Sequence, residues 1–218
     1  MHQIIETILQ FFYPRACLGC GRSGIALCPG CLAALPYARA LKSEYDYALY
    51  DYGDKVVRKS ILAFKYRHTQ EPAKLLLRGA TARITAFLSE VLQSTRSELL
   101  IAVPIPQHKQ KNHTRGYNQS ALLAGWLAEN LEGVRVKELL IKTVPTHPQA
   151  RIRKKGARIK NIAQSMRALR IIDSEPIYIL VDDVTTTGAT MNEARRALQV
   201  GGGKKIIALA LAHGNLSA

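Results

Sequence analysis

Residues 177–200 constrain the fold more than any other stretch. Ile177-Tyr178-Ile179-Leu180-Val181 is an unbroken apolar run of strand length, and Asp182-Asp183 follow it directly. Val184 then leads into a hydroxyl-rich turn, Thr185 to Thr190. A helical pattern runs from about Gly188 to Val200, and Gly201-Gly202-Gly203 stops it. A short run that is apolar at every position fits a strand covered on both faces. A helix immediately after it makes a βα unit of a parallel sheet. The two acids then fall at the carboxyl end of the strand, where open α/β sheets bind ligands. Packing explains two adjacent carboxylates there poorly. They suit the 2′ and 3′ hydroxyls of a ribose, or a hydrated Mg²⁺ beside one. Backbone N–H groups at the helix start attract a phosphate. Thr186, Thr187 and Thr190 add hydroxyl donors, and Gly188 permits close backbone approach. Ribose followed by phosphate, in that order, describes a ribose 5-phosphate site.

The rest of residues 45–218 repeats the same alternation. Tyr45 to Tyr52 reads as a strand, with Gly53-Asp54 as turn and helix cap. Val56 to Tyr66, Ala73 to Leu92 and Ser120 to Leu131 have helical periodicity. Leu99 to Val103 is a buried strand ended by Pro104 and Pro106, and Ile206 to Ala212 is a last apolar strand. The expected fold is α/β, a mainly parallel sheet flanked by helices. Met1 to Phe12 places Ile4, Ile5, Ile8, Leu9 and Phe12 at helical spacing, but it lacks a basic first segment and contains Glu6, so it reads poorly as a signal peptide. No apolar run reaches the roughly 18–20 residues of a transmembrane helix. A cytoplasmic protein is expected.

All four cysteines lie in residues 1–44, as Cys17-Leu18-Gly19-Cys20 and Cys28-Pro29-Gly30-Cys31. The pattern is Cys-x2-Cys-x7-Cys-x2-Cys. Each pair sets two thiolates on one tight turn, and two such turns complete tetrahedral sulfur coordination of zinc. Four thiolates leave no open position, so the zinc would be structural. Two disulfides or free thiols are the alternatives, and a cytoplasmic setting disfavours disulfides. Gly19-x-Gly21-x-x-Gly24 satisfies a dinucleotide-binding spacing, but it neither follows a strand nor opens a helix. Two parts are therefore expected: an N-terminal helix and four-cysteine zinc module over 1–44, and an α/β domain over 45–218.

The chain of 218 residues has a formal net charge of +15. Residues 107–170 hold 14 Lys or Arg against 3 Glu, a net of +11. Within them Arg151, Arg153, Lys154, Lys155, Arg158 and Lys160 occur with no acid between. Such a block attracts polyanions, whether nucleic acid, a phosphorylated ligand or an acidic membrane surface; as a bare charge run it fits a solvated loop equally well.

The run Val181 to Thr190 resembles the 5-phosphoribosyl-1-diphosphate (PRPP) binding motif of type I phosphoribosyltransferases. The cysteine pairs, Phe64-Lys65-Tyr66-Arg67, Thr114-Arg115-Gly116-Tyr117-Asn118-Gln119, and Thr146-His147-Pro148-Gln149 with the basic block after it, join that motif in a wider resemblance. Together they resemble the ComF family of competence-associated, phosphoribosyltransferase-like proteins over nearly the whole chain. Tyr117 stands where that family usually has Phe, and His68 where Gly is common.

The resemblance implies a type I phosphoribosyltransferase-like domain that binds PRPP with Mg²⁺. Asp182 and Asp183 would hold the ribose. Thr185, Thr186, Thr187, Gly188, Ala189 and Thr190 would hold the 5′-phosphate. Val103, Pro104, Ile105 and Pro106 would form the pyrophosphate loop, with a cis or strained peptide there. Arg115 and the basic block would serve pyrophosphate or single-stranded DNA. The implied role is DNA uptake in natural transformation. An active phosphoribosyltransferase on an unidentified acceptor, with electrostatic stabilisation of departing pyrophosphate, is one alternative. A non-catalytic adaptor for a DNA-uptake helicase or another competence protein is the other. Tyr45, Tyr47, Tyr50, Tyr52, Tyr66, Tyr117 and Trp126 offer stacking surfaces for bases, against the more ordinary use of such rings in packing.

Overall fold

The computed structural model describes residues 16–38, 46–66, 69–95, 99–107, 117–143 and 164–214. The helix expected over Met1–Phe12 lies outside them. The described elements, in chain order, are α1 (Pro29–Ala33), β1 (Asp46–Asp51), α2 (Lys55–Tyr66), α3 (Glu71–Gly79), α4 (Thr81–Thr95), β2 (Leu100–Pro104), α5 (Gln119–Asn130), β3 (Val134–Val136), β4 (Leu140–Lys142), β5 (Met166–Ala168), β6 (Ile177–Thr185), α6 (Ala189–Val200) and β7 (Lys205–His213).

Five strands form one sheet in the order β1-β7-β6-β2-β3, and every pairing in it is parallel. Each strand therefore needs a crossover, and the helices supplied by those crossovers cover both faces. Side-chain alternation divides β6 accordingly. Ile177, Ile179 and Val181 enter one core with residues of α2, α3, α4 and α5, while Tyr178 and Leu180 enter the other with residues of α6. The expected mainly parallel α/β sheet flanked by helices is the observed fold.

The order contains one reversal. From β2 the chain moves outward to β3, whereas from β6 it moves the other way to β7. The carboxyl ends of β2 and β6 therefore flank the point where open α/β sheets place their ligands.

Local sequence explains most element ends. Asp54 Oδ1 accepts from the N–H groups of Val56 (2.8 Å) and Val57 (3.0 Å), which caps α2. Asn118 caps α5 by accepting from Ser120 N–H at 3.0 Å. The single helix expected over 73–92 is two, because the chain breaks at Ala80. Gly79 lies there against Leu32 of the cysteine module; a Cβ on Gly79 would sit 2.9 Å from Leu32 carbons. β6 runs to Thr185 rather than Val181, so both acids lie on the strand itself. The outer edge of β1 is covered by residues 36–38, through Ala38 N–H to Leu49 O (3.1 Å) and Asp51 N–H to Pro36 O (3.1 Å). Cys17, Leu27, Cys28 and Leu35 share the core cluster of α2 and α3.

Most aromatic rings serve packing. Tyr50 is buried and its hydroxyl donates to Leu76 O (2.9 Å), Tyr47 stacks on Phe87, and Trp126 packs on Phe64. Tyr66 is 62% exposed. Among the described residues no helix is long and apolar enough to cross a membrane.

Candidate functional site

Asp182 and Asp183 stand at the carboxyl end of β6, beside the end of β2. Ile105 N–H donates to Val181 O at 3.0 Å, and Pro104 is in register with Val181. The segment Val103–Pro106 therefore adjoins the acid pair, with Val103, Pro104 and Ile105 buried. Its peptides are trans and none of its residues has a positive φ. Asn118 Nδ2 donates to Ile105 O (3.1 Å) and holds this segment from the start of α5.

The two helices above this end of the sheet each send a polar group to the acids. From α5, Ser120 Oγ donates to Asp182 Oδ1 at 2.9 Å, and the same oxygen accepts from Asp183 N–H at 2.9 Å. From the last turn of α2, Lys65 Nζ lies 2.8 Å from Asp183 Oδ1. Asp183 is 7% exposed and Ser120 1%. Asp182 borders a small cavity whose other walls are apolar, among them Leu49, Leu77, Leu123, Leu127 and Leu209. Burial there, with the Asp183 charge beside it, pushes the Asp182 carboxyl up to about 7. Burial alone would lower the Lys65 ammonium, but the Asp183 carboxylate outweighs it and holds the pKa above the usual lysine value.

Past the acids, Thr185, Thr186 and Thr187 are half-buried and lead to Gly188, whose φ of 72° is the left-handed conformation that glycine adopts without a Cβ clash. Ala189 N–H donates to Thr187 Oγ1 (3.3 Å), and Thr190 follows in the first turn of α6. Gly214 N–H donates to Thr185 O (2.8 Å) and braces the turn from the end of β7. Acids, hydroxyl-rich turn and helix start thus follow one another along the chain at this end of the sheet. This order suits a diol next to a phosphate.

The basic residues Arg115, Arg151, Arg153, Lys154, Lys155, Arg158 and Lys160 lie outside the described residues. The strands on either side of 151–160 in the chain lie within them. β4 enters the basic block, β5 leaves it, and the two pair antiparallel. Glu193 of α6 fixes that ribbon by accepting from Met166 N–H (3.0 Å) and pairing with Arg196, which also donates to Met166 O (2.9 Å).

The four cysteines form a second site. Their sulfurs lie within 4.8 Å of one another. Cys20 Sγ and Cys28 Sγ are 3.7 Å apart, close to the edge of about 3.8 Å that a tetrahedron of Zn–S bonds requires. All four are free thiols. Cys28 N–H donates to Cys17 Sγ at 3.3 Å. Burial opposes ionisation of Cys17, but backbone N–H groups of Cys20, Cys28 and Gly19 bring it down to about 6. Cys31 is pushed up to about 12, chiefly by the neighbouring Cys28 sulfur. Cys28 is also held below the ordinary thiol value, chiefly by the Cys31 backbone N–H, so a cluster in which two thiols ionise easily and Cys31 is held protonated by its neighbours needs a cation to ionise fully. The residues present fit a divalent ion that accepts thiolates, such as structural zinc.

No protein-family model matches the chain. Curated relatives do. DNA utilization protein YhgH of Salmonella typhimurium is 28% identical over 196 residues, covering 84% of this chain and 82% of that protein. Competence protein ComFC of Bacillus subtilis is 28% identical over 196 residues, covering 84% and 70%. Competence protein F of Haemophilus influenzae is 26% identical over 220 residues, covering 88% and 93%. The chain is thus similar over most of its length, at 26–28% identity, to proteins named as competence and DNA utilization proteins. Among solved structures, a purine phosphoribosyltransferase from Pyrococcus horikoshii is 16% identical with a TM-score of 0.28, covering 77% of this chain and 78% of that one.

Two residues on the acids, Lys65 and Ser120, were not among the expected site residues. Lys65 lies in Phe64-Lys65-Tyr66-Arg67, one of the blocks that carry the resemblance, but nothing in the chain next to Lys65 or Ser120 points to the acids.

Proposed function

We propose that the chain is a ComF-type protein of DNA uptake or utilization, which binds PRPP at the carboxyl ends of β2 and β6 and single-stranded DNA through the basic block. The carrying observation is the acid pair at the sheet's reversal point, continuous with the threonine turn and the left-handed Gly188 at the start of α6. In this reading Asp182 and Asp183 accept from the ribose hydroxyls. The turn from Thr185 to Thr190 donates to the 5′-phosphate, and Val103–Pro106 borders the diphosphate, whose charge Mg²⁺ would neutralise. The relatives' names support the DNA-linked role, and the net charge of +11 over 107–170 supports contact with a phosphate backbone.

Calorimetric titration of PRPP with Mg²⁺ tests the site. Saturable binding is expected for the wild type and none for Asp182→Asn/Asp183→Asn, with DNA affinity nearly intact in the variant. No binding by the folded, zinc-loaded wild type would end the PRPP reading. For DNA, Arg153→Ala/Lys154→Ala/Lys155→Ala should flatten the dependence of log affinity on log salt by up to roughly 2, about 0.7 per lost phosphate contact on a single strand. An unchanged slope would remove the block from the DNA contacts.

A further inference from the structure

We infer that Lys65 is the resident cation of the acid pair, seated against Asp183 where a divalent ion would otherwise bind, so that the pair takes the diol of a ribose 5-phosphate without a metal of its own. The inference rests on the ribose-phosphate reading of this site and specifies its chemistry.

Two carboxylates side by side are open to two uses, a diol or a metal ion. The geometry separates them. A metal on Asp183 Oδ1 would have to displace an ammonium at 2.8 Å whose own side chain is only 20% exposed. The ammonium is not a loose surface group that swings away. Lys65 sits in the last turn of α2, between Phe64, which is fully buried, and Tyr66. That turn is held from the other side by Tyr117 Oη, which donates to Phe64 O at 2.7 Å. An ammonium fixed there would repel Mg²⁺ by direct Coulomb force.

The charge balance points the same way. Lys65 neutralises Asp183, and Asp182, raised to about 7 by burial and by the Asp183 charge, carries only part of its negative charge at neutral pH. A diol has no such conflict. Its hydroxyls donate to carboxylates, and an ammonium with three donors can serve a ribose or phosphate oxygen while it keeps Asp183. Mg²⁺, when PRPP is the ligand, then belongs with the diphosphate rather than with the acids.

Ribose 5-phosphate is the discriminating probe, because it carries the diol and the monophosphate without the diphosphate that recruits Mg²⁺. Calorimetry should give the wild type nearly equal affinity in EDTA and in millimolar Mg²⁺. Lys65→Met should lose about 10- to 100-fold in EDTA, the worth of a charge-assisted hydrogen bond, and recover part of it when Mg²⁺ is added. Lys65→Arg should keep most of the affinity.

Mg²⁺ alone, titrated into the free wild type, should show no binding tighter than millimolar. That arm needs no variant and stands even if Lys65→Met folds poorly. Wild-type binding of ribose 5-phosphate only in the presence of Mg²⁺, tight Mg²⁺ binding by the free protein, or unchanged affinity of Lys65→Met in EDTA would each overturn the inference while leaving the site reading intact. Absence of both ribose 5-phosphate and PRPP binding under every condition would sink the site reading, and the inference with it.

Discussion

The cysteine cluster and the acid pair are both small groups of ionisable side chains, yet they are built in opposite ways. Four cysteines within 15 consecutive positions, 17 to 31, supply the whole of the first. Its geometry follows from two local turns and the ion that would join them. The second draws on distant parts of the chain: Lys65 from α2, Ile105 after β2, Ser120 from α5 and the aspartates of β6. Nothing local holds that group together except the sheet and the helices laid over it. A locally closed cluster should therefore govern stability, whereas a cluster assembled by the fold should be separable from it.

Metal removal tests the first half of this contrast and should have the largest effect. A chelator strong enough to strip a four-thiolate site should lower the melting temperature by about 10 °C or more, because binding free energy at a structural zinc is folding free energy. The cysteine module shares its core with α2 and α3, so the loss should reach the main sheet. Elemental analysis should find one zinc per chain. An unchanged melting curve after complete stripping would make the cluster dispensable for the fold.

Asp182 tests the second half, through pH. Its folded-state carboxyl is raised from the usual aspartate value of 3.8 to about 7, so the folded protein holds this proton more tightly than the unfolded chain does. The stability it contributes is full below about pH 4 and is lost as pH rises through about 7. Asp182→Asn should remove that part of the pH dependence and keep the Ser120 contact, because the amide oxygen accepts as the carboxylate does. Melting temperatures of wild type and variant between pH 5 and 8 would show it. Ribose 5-phosphate affinity should rise over the same interval in the wild type, as the acid becomes a full acceptor. Parallel melting curves for the two proteins would mean that Asp182 titrates normally.

The smallest expected effect sharpens the comparison at the seam between α2 and α5. Tyr117→Phe deletes the donor to Phe64 O beneath Lys65. About 1 kcal/mol of stability should be lost, or roughly 2–4 °C. If ligand affinity falls by more than stability does, the tyrosine hydroxyl positions Lys65 as well as bracing α2.

The same contrast decides what could be read from the sequence. The four cysteines were legible because their spacing is the structure. β6 with its acids and turn was legible because an apolar strand, carboxylates and a glycine-bearing helix start are contiguous. Lys65 and Ser120 were not placed on the acids, since their meaning depends on α2 and α5 crossing the same end of the sheet, which no local pattern states. The break at Ala80 escaped notice for a related reason: helical periodicity continues through it, and the interruption coincides with Leu32 packing from the cysteine module.

The pairing of β1 has a further consequence, for the order in which the protein is made. Among the described residues of the main sheet β1 joins only β7, with Asp46 opposite Ala208 and Asp51 opposite His213. The first strand of the sheet to leave the ribosome must therefore wait for the last. Until then Leu49 and Tyr50, buried in the finished protein, have only residues 36–38 along one edge and the early helices above them. Long-range parallel pairing is slow to form and exposes apolar edges meanwhile. For much of its synthesis the nascent chain is thus half a sheet, and the cysteine module beside β1 is complete long before the strand that β1 requires.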